Sequence, residues 1–433
     1  MSDMPADREL ARPGGVVPRA RSIDSRLSRT DVELARRETR RRRLAAFLFV
    51  APLLVFLTFA FVAPIGTMLF RSVHNPVVAN LVPDTLAALE AWDREQLPPE
   101  AARNQFAVDL KRLANDRLSG RLAEEINRQI PGTSSVVKST ARAVRRADDA
   151  ELAARGAQML IEANERWGEV GIWKAIDDAG AIYTPSYYLT ALDLEMTEDG
   201  SIQRREGARI YIDLYLRTLQ MALIITVLTL LLGYPLAYYM ASVSTSAANL
   251  MMIFVLLPFW TSLLVRTTSW IALLQTNGVI NSTLMAIGVI DEPFEMLYTR
   301  FATILAMTHI LLPFMVLPLY SVMRGIDPSY TRAAMSLGST PLGAFLRVYL
   351  PMTLPGLSAG ALLVFIISVG YYITPALVGG TDGQMISNII AFHMQQSNNW
   401  ELAAALGSLL LAMIVALYWL YDRFVGAGNI KLG

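Results

Sequence analysis

Charge is spread so unevenly along this chain that it decides the fold class. Of 75 charged residues among 433, only 14 lie in the 216 residues from Thr218 to Gly433. A water-facing surface cannot be built from so few charges, so this half must be packed in lipid. The stretch from Leu44 to Phe70 is also uncharged. As a helix rising about 1.5 Å per residue it would span roughly 40 Å, more than a bilayer core of about 30 Å. With 53% hydrophobic residues and no cysteine, the chain is neither disordered nor a disulfide-stapled secreted scaffold. A net charge of +1 speaks against a nucleic-acid partner.

Backbone groups in lipid must be paired internally, so the uncharged runs read as helices. Six are expected: Leu44 to Phe70, Leu214 to Ala241, Leu250 to Leu274, Phe301 to Val322, Leu357 to Val378 and Leu402 to Val425. The fold class is therefore an all-α polytopic membrane protein. Arg36, Arg37 and Arg40 to Arg43 stand just before the first run, which places the N-terminus in the cytoplasm. Six crossings return the C-terminus there. Arg324, Arg332 and Arg347 then fall inside, and Asp291, Glu292, Asp382 and Glu401 outside.

Residues 1–43 hold Pro5, Pro13, Pro18 and many arginines, and read as a mostly disordered cytoplasmic tail; residues 426–433 form a short cytoplasmic end. Residues 74–209 are long, charged and, on this topology, outside. Phe106, Leu110, Leu113, Leu118, Leu122 and Ile126 recur at helical spacing, with Pro131 and Gly132 after them. Asp148 and Glu151 read as a capping box, and Asp199–Gly200 as the turn of a short hairpin. A mainly helical outer insert follows. Two readings of it stand: a docking or guarding domain, or a decoration that stiffens the first outer loop.

Catalytic constellations are missing from the sequence. His74, His309 and His393 have no metal-ligand spacing, and no phosphate-binding G-x-x-x-x-G-K-[ST] run occurs. The spans hold neither paired acids nor a metal motif for intramembrane proteolysis. No catalytic residue, metal ligand or cofactor is expected in this chain, and any ATP it depends on must be bound by another chain.

The most informative segment is the inner loop of residues 324–355. Pro328 suits the first turn of a helix, Gly338 a left-handed end, and Pro341 the start of a second helix. Two short helices around a glycine make a rigid knob. Ala333 and Ala334 allow close approach of another surface, and Leu337, Phe345 and Tyr349 are candidate anchors.

This loop resembles the EAA loop of permease subunits of binding-protein-dependent ABC importers. Ala333, Ala334, Gly338, Leu350 and Pro351 match its pattern, while Arg332 stands where an acid is usual. Leu257-Pro-Phe-Trp-Thr, Leu264-Val-Arg-Thr and the run from Ile310 to Ser321 resemble the first permease subunit of spermidine/putrescine importers. The resemblance covers the first span and residues 211–425, and not the insert. It implies a type I importer permease (MetI-like) fold, with a five-helix core at 211–425. It implies as partners a second permease, two ATPase subunits carrying ATP and Mg, and a periplasmic solute-binding protein, in a bacterial inner membrane. Arg332, Ala333, Ala334, Leu337, Gly338, Phe345 and Pro351 would contact the ATPase.

For the path through the membrane the candidates are Trp260, Thr261, Arg266, Trp270, Tyr320, Tyr371 and Tyr372. Aromatic faces hold a polyamine by cation–π contacts worth about 0.5 to 2 kcal/mol each. Arg266 repels a cation, which leaves two readings: it pairs with Asp291 or Glu292, or the cargo is anionic. Gly370, Gly379 and Gly380 read either as flexible gates or as sites of close packing. Prolines at 235, 258, 313, 318 and 375 mark possible bends. The rival functions are the same transporter class with an opine, phosphonate or other small organic ion as cargo, or a receptor sensing through the insert.

Overall fold

The computed structural model describes residues 29–197, 201–205 and 209–425. Two compact units divide it, residues 1–65 and 66–433. Among the described residues five helices are long and apolar enough to cross a membrane, and a helix pair bent by 96° makes a sixth where it is counted as one span. The expectations for residues 1–28 and 426–433 fall outside the described residues. The helix of the first span begins well before the apolar run: α1 covers Arg29–Leu57, a π-helical turn Thr58–Val62 follows, and α2 covers Ala63–Arg71. Arg40 to Arg43 thus sit inside a helix and not in an irregular tail.

The insert is helical, as its spacing predicts. Its helices are α3 (Val77–Leu81), α4 (Pro83–Leu89), α5 (Glu100–Asn115), α6 (Ser119–Gln129), α7 (Thr133–Val144), α8 (Asp149–Ala163), α9 (Val170–Gly180) and α10 (Ser186–Ala191). The periodic run is split between α5 and α6 at Arg117, whose φ is 61°. Asp148 occupies the N-cap of α8 without a side-chain capping bond, so the expected capping box is not formed. Phe106, Trp167 and Trp173 meet ring to ring at 5.0 to 5.6 Å in a fully buried core, which gives this small domain its cohesion. Strands β1 (Leu194–Met196) and β2 (Ile202–Arg204) pair antiparallel. The expected turn at Asp199–Gly200 lies outside the described residues.

The membrane core comprises α11 (Tyr211–Ser242), α12 (Thr245–Trp260), α13 (Leu263–Leu274), α14 (Val279–Ala286), α15 (Arg300–Arg324), α16 (Ser329–Ser336), α17 (Pro341–Ala344), α18 (Leu350–Gly370), α19 (Ile373–Val378), α20 (Ile386–Gln395) and α21 (Trp400–Val425). At its centre α11, α15 and α18 bury Met221, Ile225, Leu311, Met315, Leu319 and Val364. Gly356 and Gly360 bring α18 against α15 backbone: a Cβ on Gly356 would lie 2.9 Å from the Pro318 carbonyl, and one on Gly360 3.1 Å from that of Met315. Such small-residue contacts let apolar helices pack where lipid offers no hydrophobic drive.

Two of the expected continuous spans are interrupted. The third breaks at Thr261–Ser262, where the Ser262 hydroxyl accepts from Val265 N–H and starts α13. The fifth ends its helix at Gly370 and resumes at Ile373, with Tyr371 extended. Pro258 and Pro375 lie beside these breaks, whereas Pro235, Pro313 and Pro318 stay within unbroken helices.

The core has two chemically distinct ends. At the start of α11, Asp193 accepts from the Tyr211 and Ile212 N–H groups, Arg300 pairs with Asp382 at 2.9 Å, and Arg217 donates to the Thr381 and Asp382 carbonyls. At its far end, Arg324 donates to Thr245 Oγ1. The insert joins the first end and the 324–355 loop the second.

Candidate functional site

The 324–355 loop forms much as its sequence predicts. Asp327 accepts from Ser329 N–H at 2.8 Å and launches α16, and that bond holds its carboxyl below the usual carboxylate range. Gly338 closes α16 with φ 92°, a conformation other residues adopt only under strain. Thr340 then caps α17 by accepting from Gly343 N–H, with Pro341 at its first turn. Instead of a second free helix, α17 continues through a π-helical turn, Phe345–Tyr349, into α18. The knob is therefore welded to the fifth span. Leu337 is 91% exposed and Leu342 68%, beside the exposed Tyr330, Arg332, Ala333, Met335 and Gly338, with Ala334 half-buried.

Two of the expected anchors turn the other way. Phe345 meets Tyr238 edge-on at 5.6 Å and stacks on Tyr349, which itself meets Tyr238 at 5.3 Å. Both rings are engaged by α11, because the π-helical turn rotates them inward. They brace the knob. Leu337, Leu342 and Tyr330 form its free apolar surface; Leu342 and Tyr330 were not singled out from sequence.

In the spans, the breaks bring several of the sequence candidates together. Trp270 approaches His309 with ring centroids 5.6 Å apart and its indole N–H 3.4 Å from Nδ1. Arg266 is half-buried on α13. Thr267 and Thr374 join the two broken spans through hydroxyls 3.4 Å apart. Trp260, Thr261 and Tyr372 are exposed at the breaks, and Tyr320 is half-buried in the central cluster. Sequence reading missed His309, Thr267 and Thr374, and also Ser387 and Asn388. Ser387 donates to the Tyr371 carbonyl at 2.6 Å and Asn388 to that of Tyr372 at 2.8 Å. The first satisfies a carbonyl that the broken helix frees, and the second adds to the Ala376 N–H bond that the Tyr372 carbonyl already accepts. The signal was legible: two adjacent polar residues in the apolar run that follows Gly383.

Among the described residues Arg266 forms no ion pair, so the expected partnership with Asp291 or Glu292 is not made. Its Nε is buried without a hydrogen-bond partner, as are the hydroxyls of Thr308 and Ser368. Gly379 and Gly380 are packing positions: a Cβ on Gly379 would strike the Thr303 hydroxyl, and one on Gly380 would lie 2.6 Å from the Tyr298 carbonyl. Gly370 has open space around it.

A family model described as binding-protein-dependent transport system inner membrane component matches residues 233–426, which hold the loop, both breaks and α20. The spermidine/putrescine transport system permease protein PotB of Escherichia coli (strain K12) is 35% identical over 219 residues, 50% of this chain and 80% of that protein. The chain belongs to this transport family. It is an all-α, multi-pass inner membrane permease. The inner membrane ABC transporter permease protein YdcU of E. coli (strain K12) is 32% identical over 232 residues, 50% of this permease and 72% of that one. Among solved structures, a bacterial ABC transporter involved in the import of the acidic polysaccharide alginate aligns with TM-score 0.41 and 18% identity, covering 52% of this permease and 81% of that chain. The family match begins after the insert.

Proposed function

We propose that this permease carries a small polar solute, of the spermidine or putrescine type, into the cytoplasm as one subunit of an ATP-driven importer. The observation that carries this reading is the 35% identity to PotB over 80% of that protein. ATP and Mg belong to two separate ATPase subunits, one of which receives the exposed knob around Leu337; a second permease and a periplasmic binding protein complete the assembly. On this reading the knob and both chain ends are cytoplasmic and the insert is periplasmic. The knob's continuity with α18 gives ATPase closure a stiff lever on the fifth span. On this reading Trp270 of α13 and Tyr371 at the second break hold an ammonium or methylene chain as it passes.

A second cargo reading rests on Arg266, the one charged side chain between Arg217 and Asp291. Its half-buried side chain, whose Nε has no partner, suits a cargo with an anionic group better than a polycation. The deciding experiment is uptake of radiolabelled putrescine by the complex reconstituted with its own binding protein. Uptake blocked by excess spermidine, and indifferent to opines or phosphonates, supports the polyamine reading; no polyamine uptake ends it.

A further inference from the structure

The insert is tied to the core at a point from which the break in the fifth span can be moved. Arg128, at the end of α6, is the tie. It pairs with Glu125 of its own helix at 2.6 Å, reaches Glu401 at the start of α21 at 3.7 Å, and donates to the Asn398 carbonyl at 3.0 Å. Asn398 has φ 48° and lies in the short link between α20 and α21, so the guanidinium holds a tight turn of the core. Around it the junction is largely closed to water: Glu125 is 7% and Asn75 5% exposed, and Asn75 donates to both Glu125 and the Tyr187 hydroxyl. The Arg128 and Glu401 side chains are 20% and 16% exposed, so removing one partner leaves the other a poorly solvated charge.

The helix α20 connects this junction to the break. Its last turn carries His393, bonded to Tyr211 and Ser397. Its first turn carries Ser387 and Asn388, whose side chains hold the Tyr371 and Tyr372 carbonyls, and its Ile386 N–H is held by Thr218. Ten helical residues make a stiff rod about 15 Å long. Movement of the insert at Asn398 and Glu401 is therefore delivered to the backbone of the fifth span.

We propose that Arg128 is a positioning residue for transport: through Glu401 and Asn398 it lets the insert set the state of the break at Tyr371–Tyr372. The inference rests on the permease reading in taking that break as part of the path, and the measurement below needs neither cargo nor ATPase. It assigns the insert a task, since a domain that only decorated the outer loop would have no bonded route to the fifth span.

The chain has no cysteine, so Ala376→Cys gives a single exposed reporter beside the break, and Leu337→Cys a control on the knob. Labelling by a membrane-permeant maleimide is timed in membranes containing the full chain. Arg128→Ala and Glu401→Gln should each change the Ala376→Cys rate by about fivefold or more and leave the Leu337→Cys rate unchanged. Arg128→Lys, which retains the charge, should fall between them and the parent. Glu401→Gln leaves the Arg128–Glu125 pair inside the insert, so it decides the matter if limited proteolysis shows that Arg128→Ala unfolds the insert. An unchanged Ala376→Cys rate in Glu401→Gln, or an equal change at the control, overturns the proposal. Failure of putrescine uptake with the labelling pattern intact would instead overturn the cargo reading alone.

Discussion

The Asn388 side chain bridges the broken fifth span and the start of α20: its amide donates to the Tyr372 carbonyl at 2.8 Å, and its carbonyl accepts from Met385 N–H at 3.0 Å. Asn388→Ala orphans the Met385 N–H in a buried place and leaves the Tyr372 carbonyl with Ala376 N–H as its partner. One such orphan costs about 1 to 3 kcal/mol, and the variant should lose about that much, read as an earlier thermal unfolding transition in detergent. Ser387→Ala removes one bond and should cost less. A transition at the parent temperature for Asn388→Ala would mean that the break does not depend on these bonds.

Gly338 is the hinge of the knob. No atom lies within 4 Å of the place a Cβ would take, so its φ of 92° and not crowding makes it sensitive. Forcing a side chain into that conformation costs about 1 to 2 kcal/mol per residue. Gly338→Asp adds an unpaired charge next to the apolar Leu337 surface. Co-purification with the ATPase should fall and uptake should be abolished, while membrane insertion is unaffected; normal co-purification with full uptake would remove the knob from the coupling role.

The sequence disclosed most of this architecture, for reasons that can be named. Charge-free runs locate membrane helices because lipid leaves the backbone no other partner. The helix, glycine and proline pattern of residues 328–341 locates the knob, because those residue types have few permitted backbone conformations. What it hid depends on tertiary partners. At the Tyr371–Tyr372 break Ser387, sixteen residues away, satisfies the Tyr371 carbonyl, and Asn388 adds a second bond to that of Tyr372. The inward turn of Phe345 and Tyr349 follows from a π-helical turn that no local pattern marks. Arg266 invited a pairing with Asp291 or Glu292 by proximity in sequence, but no such ion pair forms among the described residues, and its Nε is buried without a partner.

The insert depends on its aromatic core. Trp173 is fully buried, donates its indole N–H to the Trp167 carbonyl at 3.0 Å and packs edge-on against Phe106. Trp173→Ala should cost about 3 to 5 kcal/mol, enough to unfold a small domain. Limited proteolysis should then cut between residues 100 and 180 while fragments of α11 to α21 remain in the membrane. An insert that stays protease-resistant would show that its cohesion lies elsewhere.

Acid should favour the junction around Glu125. Burial raises its pKa above the ordinary value, against the opposing pull of Arg128 and the Asn75 hydrogen bond, with Glu401 adding to the rise. The folded state therefore holds the proton to higher pH than the unfolded chain does. Stability from this group is fully present below the unfolded value of about 4.5 and is lost as pH rises through the folded pKa. Asp177 shifts in the same direction by burial, so the comparison must isolate Glu125. The unfolding temperature of the parent minus that of Glu125→Gln should decrease between pH 4.5 and neutrality. A difference that increases would mean that the pairing with Arg128 outweighs burial.

The orientation of the permease is open to a direct measurement, since no native cysteine needs removal. The basic run before the first span and the arginines at 324, 332 and 347 place the knob in the cytoplasm by the positive-inside rule. Ser135 in the insert and Ser336 on the knob are both exposed, so failure to label reports the side of the membrane and not burial. In intact cells whose outer membrane has been permeabilised, Ser135→Cys should react with an impermeant maleimide and Ser336→Cys should not. Lysis should expose Ser336→Cys to the reagent and leave the extent of Ser135→Cys labelling unchanged. The opposite pattern would invert the topology, place the apolar surface of Leu337 and Leu342 outside the cell, and remove the knob from the reach of any cytoplasmic ATPase.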